Sequence, residues 1–240
     1  MGMVRMLVAG EQGLVVEFGD SIDPAVNARV HRLARALAVR GLEGVIEAVP
    51  TYRSVLVLFD PLVLPRERLA SEVGVLLADP SVEEEPGARG NTVELPVLYG
   101  GEFGPDLAFV ARHNGLSTDE VIAIHSSSAY LVYMLGFTPG FPYLGGMSPR
   151  LAAPRLPSPR TKVPSGSVGI AGSQAGVYPQ ESPGGWRLIG RTPLRLFDLE
   201  AERPFLLASG DVVRFRPVDE EEYWAYLQVE EIRAFERRGR

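Results

Sequence analysis

Between Gly136 and Pro193 the chain carries six cations, Arg150, Arg155, Arg160, Lys162, Arg187 and Arg191, and a single carboxylate, Glu181. A paired-carboxylate mechanism has no second partner within this stretch. Cations among glycine-exposed backbone amides offer a different chemistry, the binding of an anion such as a carboxylate or a phosphate. A set of solvated loop charges is the competing reading and carries equal weight. Arg160 and Lys162 stand out, because Val163-Pro164-Ser165-Gly166-Ser167 follows them with backbone amides and hydroxyls. Ser165, Ser167, Ser173 and Ser182 are nucleophiles in form only. No His or Asp stands near them in sequence, and turn or hydrogen-bonding roles fit them better. Phe137, Phe141, Tyr143, Tyr178 and Trp186 suit either an apolar groove or a barrel core, and at least two are expected in the core. The three His residues, 31, 113 and 125, lack ligand spacing, so no metal site is expected. His31 reads as solvated surface and His113 as a cation at a helix C-terminus. His125 ends a helix just before the strand that leads into this region, which makes it the imidazole with a possible functional role.

Gly and Pro supply 21 of the 58 residues from Gly136 to Pro193, far above the roughly 12% of average usage. Apolar and aromatic residues are interleaved throughout, so the stretch specifies loop shapes rather than disorder. Loops held on a rigid scaffold are where binding and chemistry concentrate. No Walker A sequence, Gly-x-Gly-x-x-Gly turn or Gly-x-Ser-x-Gly elbow occurs. The net charge of -6 argues against a nucleic-acid partner, and the absence of Cys excludes disulfides and thiolate chemistry. The run from Met1 to Ala9 is too short for a signal peptide and no window is apolar enough to span a membrane, so a cytoplasmic chain is expected.

The elements that must position these residues fall into two groups. In the first, Leu14–Phe18 reads as a strand. Asp23-Pro24 starts a helix with Val26, Val30, Leu33 and Leu37 on one face, and Gly41 ends it. Val45–Val49 and Ser54–Phe59 read as strands, and Pro65 opens a second helix. The order β-α-β-β-α fits a ferredoxin-like α/β sandwich over 1–80. The acidic and Gly/Pro-rich stretch 81–91 reads as a linker. In the second group, 92–240, Thr92–Leu98 is a strand and Pro105 opens a short helix through His113. The capping box Ser117-Thr118-Asp119-Glu120 opens another, to about His125. Ala129–Leu135 and short segments at Ser167–Ala171, Gly176–Tyr178, Trp186–Ile189, Leu194–Phe197 and Val212–Phe215 suggest a barrel or sandwich. A terminal helix is expected over Glu220–Leu227. The overall class is α+β.

Three motifs carry a specific resemblance: Gly136-Phe-Thr-Pro-Gly-Phe-Pro-Tyr-Leu-Gly-Gly146, Val163-Pro-Ser-Gly-Ser-Val-Gly-Ile-Ala-Gly172 and Ser182-Pro-Gly-Gly-Trp-Arg-Leu-Ile-Gly-Arg-Thr-Pro193. They resemble the family of 5-oxoprolinase B subunits, also called the KipI or allophanate hydrolase subunit 1 family, across essentially the whole chain. Gln174-Ala175-Gly176 replaces the family's Gln-Thr-Gly, and Pro164-Ser165-Gly166 its Pro-Ala-Gly. The resemblance implies a cyclophilin-like β-barrel in the second part and a role beside subunits A and C in ATP-driven hydrolysis of 5-oxoproline to L-glutamate. Magnesium would arrive with ATP, and the chain would be inactive alone. On this reading His125, Arg160 and Lys162 are catalytic candidates. Phe141, Tyr143, Gln174, Tyr178, Trp186 and Arg191 are substrate-binding candidates. The family also implies two alternatives, an inhibitor that binds a sporulation histidine kinase and a subunit acting on allophanate or another urea derivative. The oligomeric state and the cis or trans state of Pro142 and Pro179 stay open.

Overall fold

The computed structural model describes residues 4–79 and 90–238, with side chains described as far as residue 231, so the expected linker lies mostly outside the described residues. The chain divides into two compact units, Met1–Arg89 and Gly90–Arg240.

In the first unit β1 (Arg5–Val8) and β2 (Gly13–Glu17) form an antiparallel hairpin. Helix α1 (Pro24–Arg40) follows. Asp23 Oδ1 accepts from the Ala25 and Val26 amides, and Gly41 stops the helix in a left-handed conformation, φ 58°. Strands β3 (Val45–Pro50) and β4 (Ser54–Phe59) and helix α2 (Arg66–Ala78) complete the unit. The antiparallel sheet runs β1-β2-β4-β3, so β4 sits between the two strands that α1 connects. Alternation in β4 buries Val55, Val57 and Phe59 against Val30, Leu33 and Leu37 of α1 and Leu69 and Val73 of α2. Strand β1 goes beyond the sequence expectation. All four of its residues are exposed, so it carries no apolar alternation to read.

The second unit opens with β5 (Thr92–Tyr99), α3 (Leu107–His113), α4 (Thr118–Ser127), β6 (Ala129–Leu135) and β7 (Pro142–Gly145). There follow β8 (Arg160–Val163), β9 (Ser167–Ala171), β10 (Gln174–Val177), β11 (Ser182–Gly184), β12 (Arg187–Arg191), β13 (Val212–Pro217) and α5 (Glu220–Arg238). Seven strands close a barrel in the order β10-β7-β6-β13-β5-β12-β9, and β8 with β11 forms a separate two-stranded sheet. The barrel ladder is antiparallel except between β13 and β5. Its core holds Leu95, Val97, Tyr130, Val132, Leu144, Val168, Ile170, Val177, Ile189 and Phe215, with Val110 of α3 and Val121 of α4 packed against it.

Three expectations need correction. Leu194–Phe197 makes no strand beyond an isolated bridge from Phe197 to Phe205, because both sides of β12 are already paired. The segment read as Trp186–Ile189 is a strand over Arg187–Arg191, with Trp186 turned into a separate aromatic cluster. The terminal helix runs to Arg238, since Gln, Glu, Arg and Ala sustain it and no Gly or Pro interrupts. The Phe141–Pro142 and Tyr178–Pro179 bonds are both trans.

Candidate functional site

Strand alternation divides the residues of β7, β9 and β10 between two clusters. Leu144, Val168, Ile170, Ala175 and Val177 point into the barrel. Tyr143 and Ala171 point outward and join a second cluster with Phe141, Val163, Tyr178, Trp186 and Leu188. Gly176 lets the rings lie directly on β10, for a Cβ there would stand 2.8 Å from Phe141 and 2.9 Å from Trp186. Phe141 is the hub. Its ring makes edge contacts with Tyr143 at 5.1 Å, Tyr178 at 5.3 Å and Trp186 at 5.3 Å between centroids, spacing that favours aromatic pairs.

This cluster floors a cleft of about 380 Å³ on the barrel's outer face. Phe137, Phe141, Tyr143, Tyr178 and Trp186 line it with Arg155, Leu156, Pro159 and the Pro183-Gly184-Gly185 turn. Phe137 sits in the mouth, 69% exposed. It adopts φ 70°, the only non-glycine residue in the left-handed region among the described residues, a strained backbone that often accompanies functional loops. Arg155 is the lining's one cation, with its guanidinium 6.0 Å from the Trp186 ring centroid. Burial raises the pKa of Tyr178, against smaller opposing effects from a hydrogen bond with the Trp186 amide and from Arg155 and Arg160. Its hydroxyl therefore stays protonated at neutral pH, with the Trp186 amide as a donor to its oxygen. Burial also raises the pKa of Tyr143. The lining contains no carboxylate and no imidazole.

The cleft thus unites four of the substrate-binding candidates, Phe141, Tyr143, Tyr178 and Trp186, and leaves the others outside its lining. Gln174 pairs with Ala171 at the start of β10. Arg191, at the end of β12, lies 5.1 Å from the Phe103 ring. Lys162 projects into solvent, 76% exposed, and pairs with Glu181 at 3.1 Å. Arg160 is paired with Asp106 at 2.9 Å and reaches the Trp186 carbonyl at 3.4 Å. His125 is fully buried between Tyr99, Tyr130 and Phe215, with Nδ1 2.7 Å from the Tyr99 hydroxyl. Burial lowers its pKa to about 3, so it is neutral and has no access to a ligand.

Two residues escaped selection by sequence. Arg155 is one of six cations in its region, and only its place in the cleft lining singles it out. Asp106 lies 30 residues before Gly136, just after the Pro105 that reads as opening a helix, and no local signal ties it to the cleft. Among the described residues no group of His, Cys, Asp and Glu could hold a metal ion, and no helix is long and apolar enough to cross a membrane.

The family model for the carboxyltransferase domain, subdomain C and D, matches residues 4–207. The chain is 47% identical over 229 residues to the 5-oxoprolinase B subunit of Bacillus subtilis (strain 168), covering 91% of this chain and 95% of that protein. It is 44% identical over 224 residues to the 5-oxoprolinase B subunit of Escherichia coli O157:H7, covering 92% of this chain and 99% of that one. Among solved structures it is similar to TTHA0988, with a TM-score of 0.76 and 41% identity over 90% of this chain, though it spans only 40% of the TTHA0988 chain.

Proposed function

Because the chain belongs to the carboxyltransferase domain, subdomain C and D, family, we propose that it serves as the B subunit of a 5-oxoprolinase and that the outer-face cleft holds 5-oxo-L-proline. The observation that carries this reading is one cation facing a small cleft walled by aromatic rings. The substrate is a five-membered lactam with one carboxylate. Arg155 takes the carboxylate, and the rings of Phe141 and Trp186 pack on the ring methylenes.

Hydrolysis adds water at the ring carbonyl carbon and breaks its bond to nitrogen. The nitrogen takes a proton and becomes the amine of glutamate. The lactam is resonance-stabilised, so this step needs the carbonyl oxygen polarised. Tyr178, whose pKa burial raises, supplies an O–H donor for that oxygen. The base that activates water has no candidate in the lining, and we assign it to a partner subunit.

ATP enters this reading as a second substrate: its terminal phosphoryl group moves to the lactam carbonyl oxygen and ADP leaves. The phosphate departs as inorganic phosphate once water has added and the carbon–nitrogen bond has broken. A triphosphate with magnesium calls for several cations and for metal ligands. Arg155 is the cleft's one cation, Arg160 is engaged by Asp106, Lys162 pairs with Glu181 away from the lining, and no metal-ligating cluster occurs among the described residues. These residues do not fit the nucleotide, so we assign ATP and its magnesium to subunits A and C.

The same reading takes the first unit as ferredoxin-like, supported by β4 lying between the strands that α1 joins, and the barrel as cyclophilin-like. It places the domains at 1–80 and 92–240 and the protein in the cytoplasm. ATP-dependent glutamate release from 5-oxoproline, with the chain alone and with subunits A and C, tests the proposal. Release is expected only with all three chains. Full-rate release by this chain alone would overturn the shared site.

A further inference from the structure

We propose that Asp106, outside the cleft, is a positioning residue whose carboxylate fixes both the aromatic and the cationic wall of the cleft. This rests on the reading of the cleft as the lactam site. Asp106 lies at the N-cap of α3, where an Asp ordinarily accepts from the helix's own first amides, yet its side chain makes no capping bond. The carboxylate turns instead to β12. Oδ2 accepts from the Leu188 amide at 2.8 Å and pairs with Arg160 Nη2 at 2.9 Å, while Oδ1 stands 3.7 Å from Arg187 Nη1. The backbone returns the contact, as the Asp106 amide donates to the Leu188 carbonyl at 2.8 Å. Asp106 is only 7% exposed.

Each arginine held in this way reaches a different wall. Arg160 Nη1 donates to the carbonyl of Trp186, the indole that faces the cleft. Arg187 Nε donates at 3.0 Å to the carbonyl of Pro154, the residue before Arg155, and its guanidinium lies over the Phe109 ring, 3.5 Å from the centroid. A single carboxylate thus aims two planar guanidinium groups, one bracing the aromatic wall and the other the segment that carries the cation. Replacing it would leave two neighbouring guanidinium groups without their shared counter-charge, and both walls would lose their register.

The test needs a readout of wall position apart from turnover. The chain has two Trp residues, so Trp224→Phe leaves Trp186 as the sole indole. In that background Asp106→Ala should shift Trp186 emission to the red and increase its quenching by acrylamide. In the complete complex the same change should raise KM for the lactam substrate by on the order of tenfold to a hundredfold, with a smaller fall in kcat, as misplaced binding groups do. Asp106→Asn keeps an acceptor for the Leu188 amide but loses the charge, and should fall between. Arg160→Gln should move the Trp186 signal yet raise KM less, because the Arg187–Pro154 contact survives. Unchanged Trp186 emission and unchanged KM in Asp106→Ala would overturn the proposal. If the Ala variant does not fold, Asp106→Asn decides: a shifted Trp186 signal supports positioning, an unshifted one overturns it. Absence of 5-oxoproline turnover in the wild-type complex would remove the lactam reading, while the Trp186 signal would still decide whether Asp106 sets the wall.

Discussion

Burial acts in opposite directions on Tyr178 and His125. It raises the pKa of Tyr178, which keeps the phenol proton available for donation. Tyr178→Phe retains the ring packing and removes the donor, so kcat should fall by roughly a hundredfold with little change in KM. Equal rates in steady-state assays of the two complexes would exclude Tyr178 from the reaction. His125 is held neutral, its pKa lowered by burial from 6.5 to about 3, with Nε2 lacking any partner among the described residues. The unfolded chain takes up this proton below about pH 6.5, the folded chain only near 3. Stability contributed by neutral His125 is thus present above 6.5 and lost as pH falls toward 3, by at most about 1.4 kcal/mol per pH unit. Melting curves from pH 7 to 4 should show a shallower decline for His125→Gln than for the wild type, although the variant starts less stable. Parallel declines would place the acid sensitivity elsewhere.

Among the elements, the short β8–β11 sheet packs Gly184 against Tyr178, and a Cβ there would lie 2.3 Å from the Tyr178 hydroxyl. Gly184→Ala should lower kcat/KM while leaving the far-UV circular dichroism intact, and unaltered kinetics would show that Tyr178 can yield. Helix α4 begins with a capping box in which Ser117 Oγ accepts from the Glu120 amide. Ser117→Ala should cost about 1 kcal/mol, measured by denaturant titration. Signals of this local kind explain what the sequence makes legible. Asp23, Pro24 and Gly41 bound α1 within a few residues of the bonds they make, and the capping box does the same for α4. The aromatic members of the cleft could be read because Gly and Pro punctuate them so densely. β8 and β11, four and three residues long with an irregular register, find their partners only in three dimensions. Asp106 sits beside the Pro105 that reads as a helix start, and its carboxylate bonds an amide 82 residues away. Local sequence favours Arg160, which stands just before Val163-Pro164-Ser165-Gly166-Ser167, yet it is Arg155 that lines the cleft. Arg160 is taken instead by Asp106, a partner far from it in sequence.

At the scale of the whole molecule, the chain brings a cleft with a cation, aromatic walls and a hydroxyl donor, but no base in its lining. That inventory suits a subunit that holds substrate while partners complete the chemistry, and TTHA0988 carries a similar module within a chain of which it makes up 40%. Charge recognition by Arg155, as proposed, would separate 5-oxoproline from the same lactam without its carboxylate, 2-pyrrolidinone. The most direct measurement compares wild-type and Arg155→Gln complexes in two constants, the KM for the carboxylated lactam and the inhibition constant of 2-pyrrolidinone against it. KM should rise about ten- to a hundredfold, the value of a charge-assisted hydrogen bond, while the inhibition constant barely moves. Equal shifts in both constants, or no shift in KM, would contradict charge recognition by Arg155.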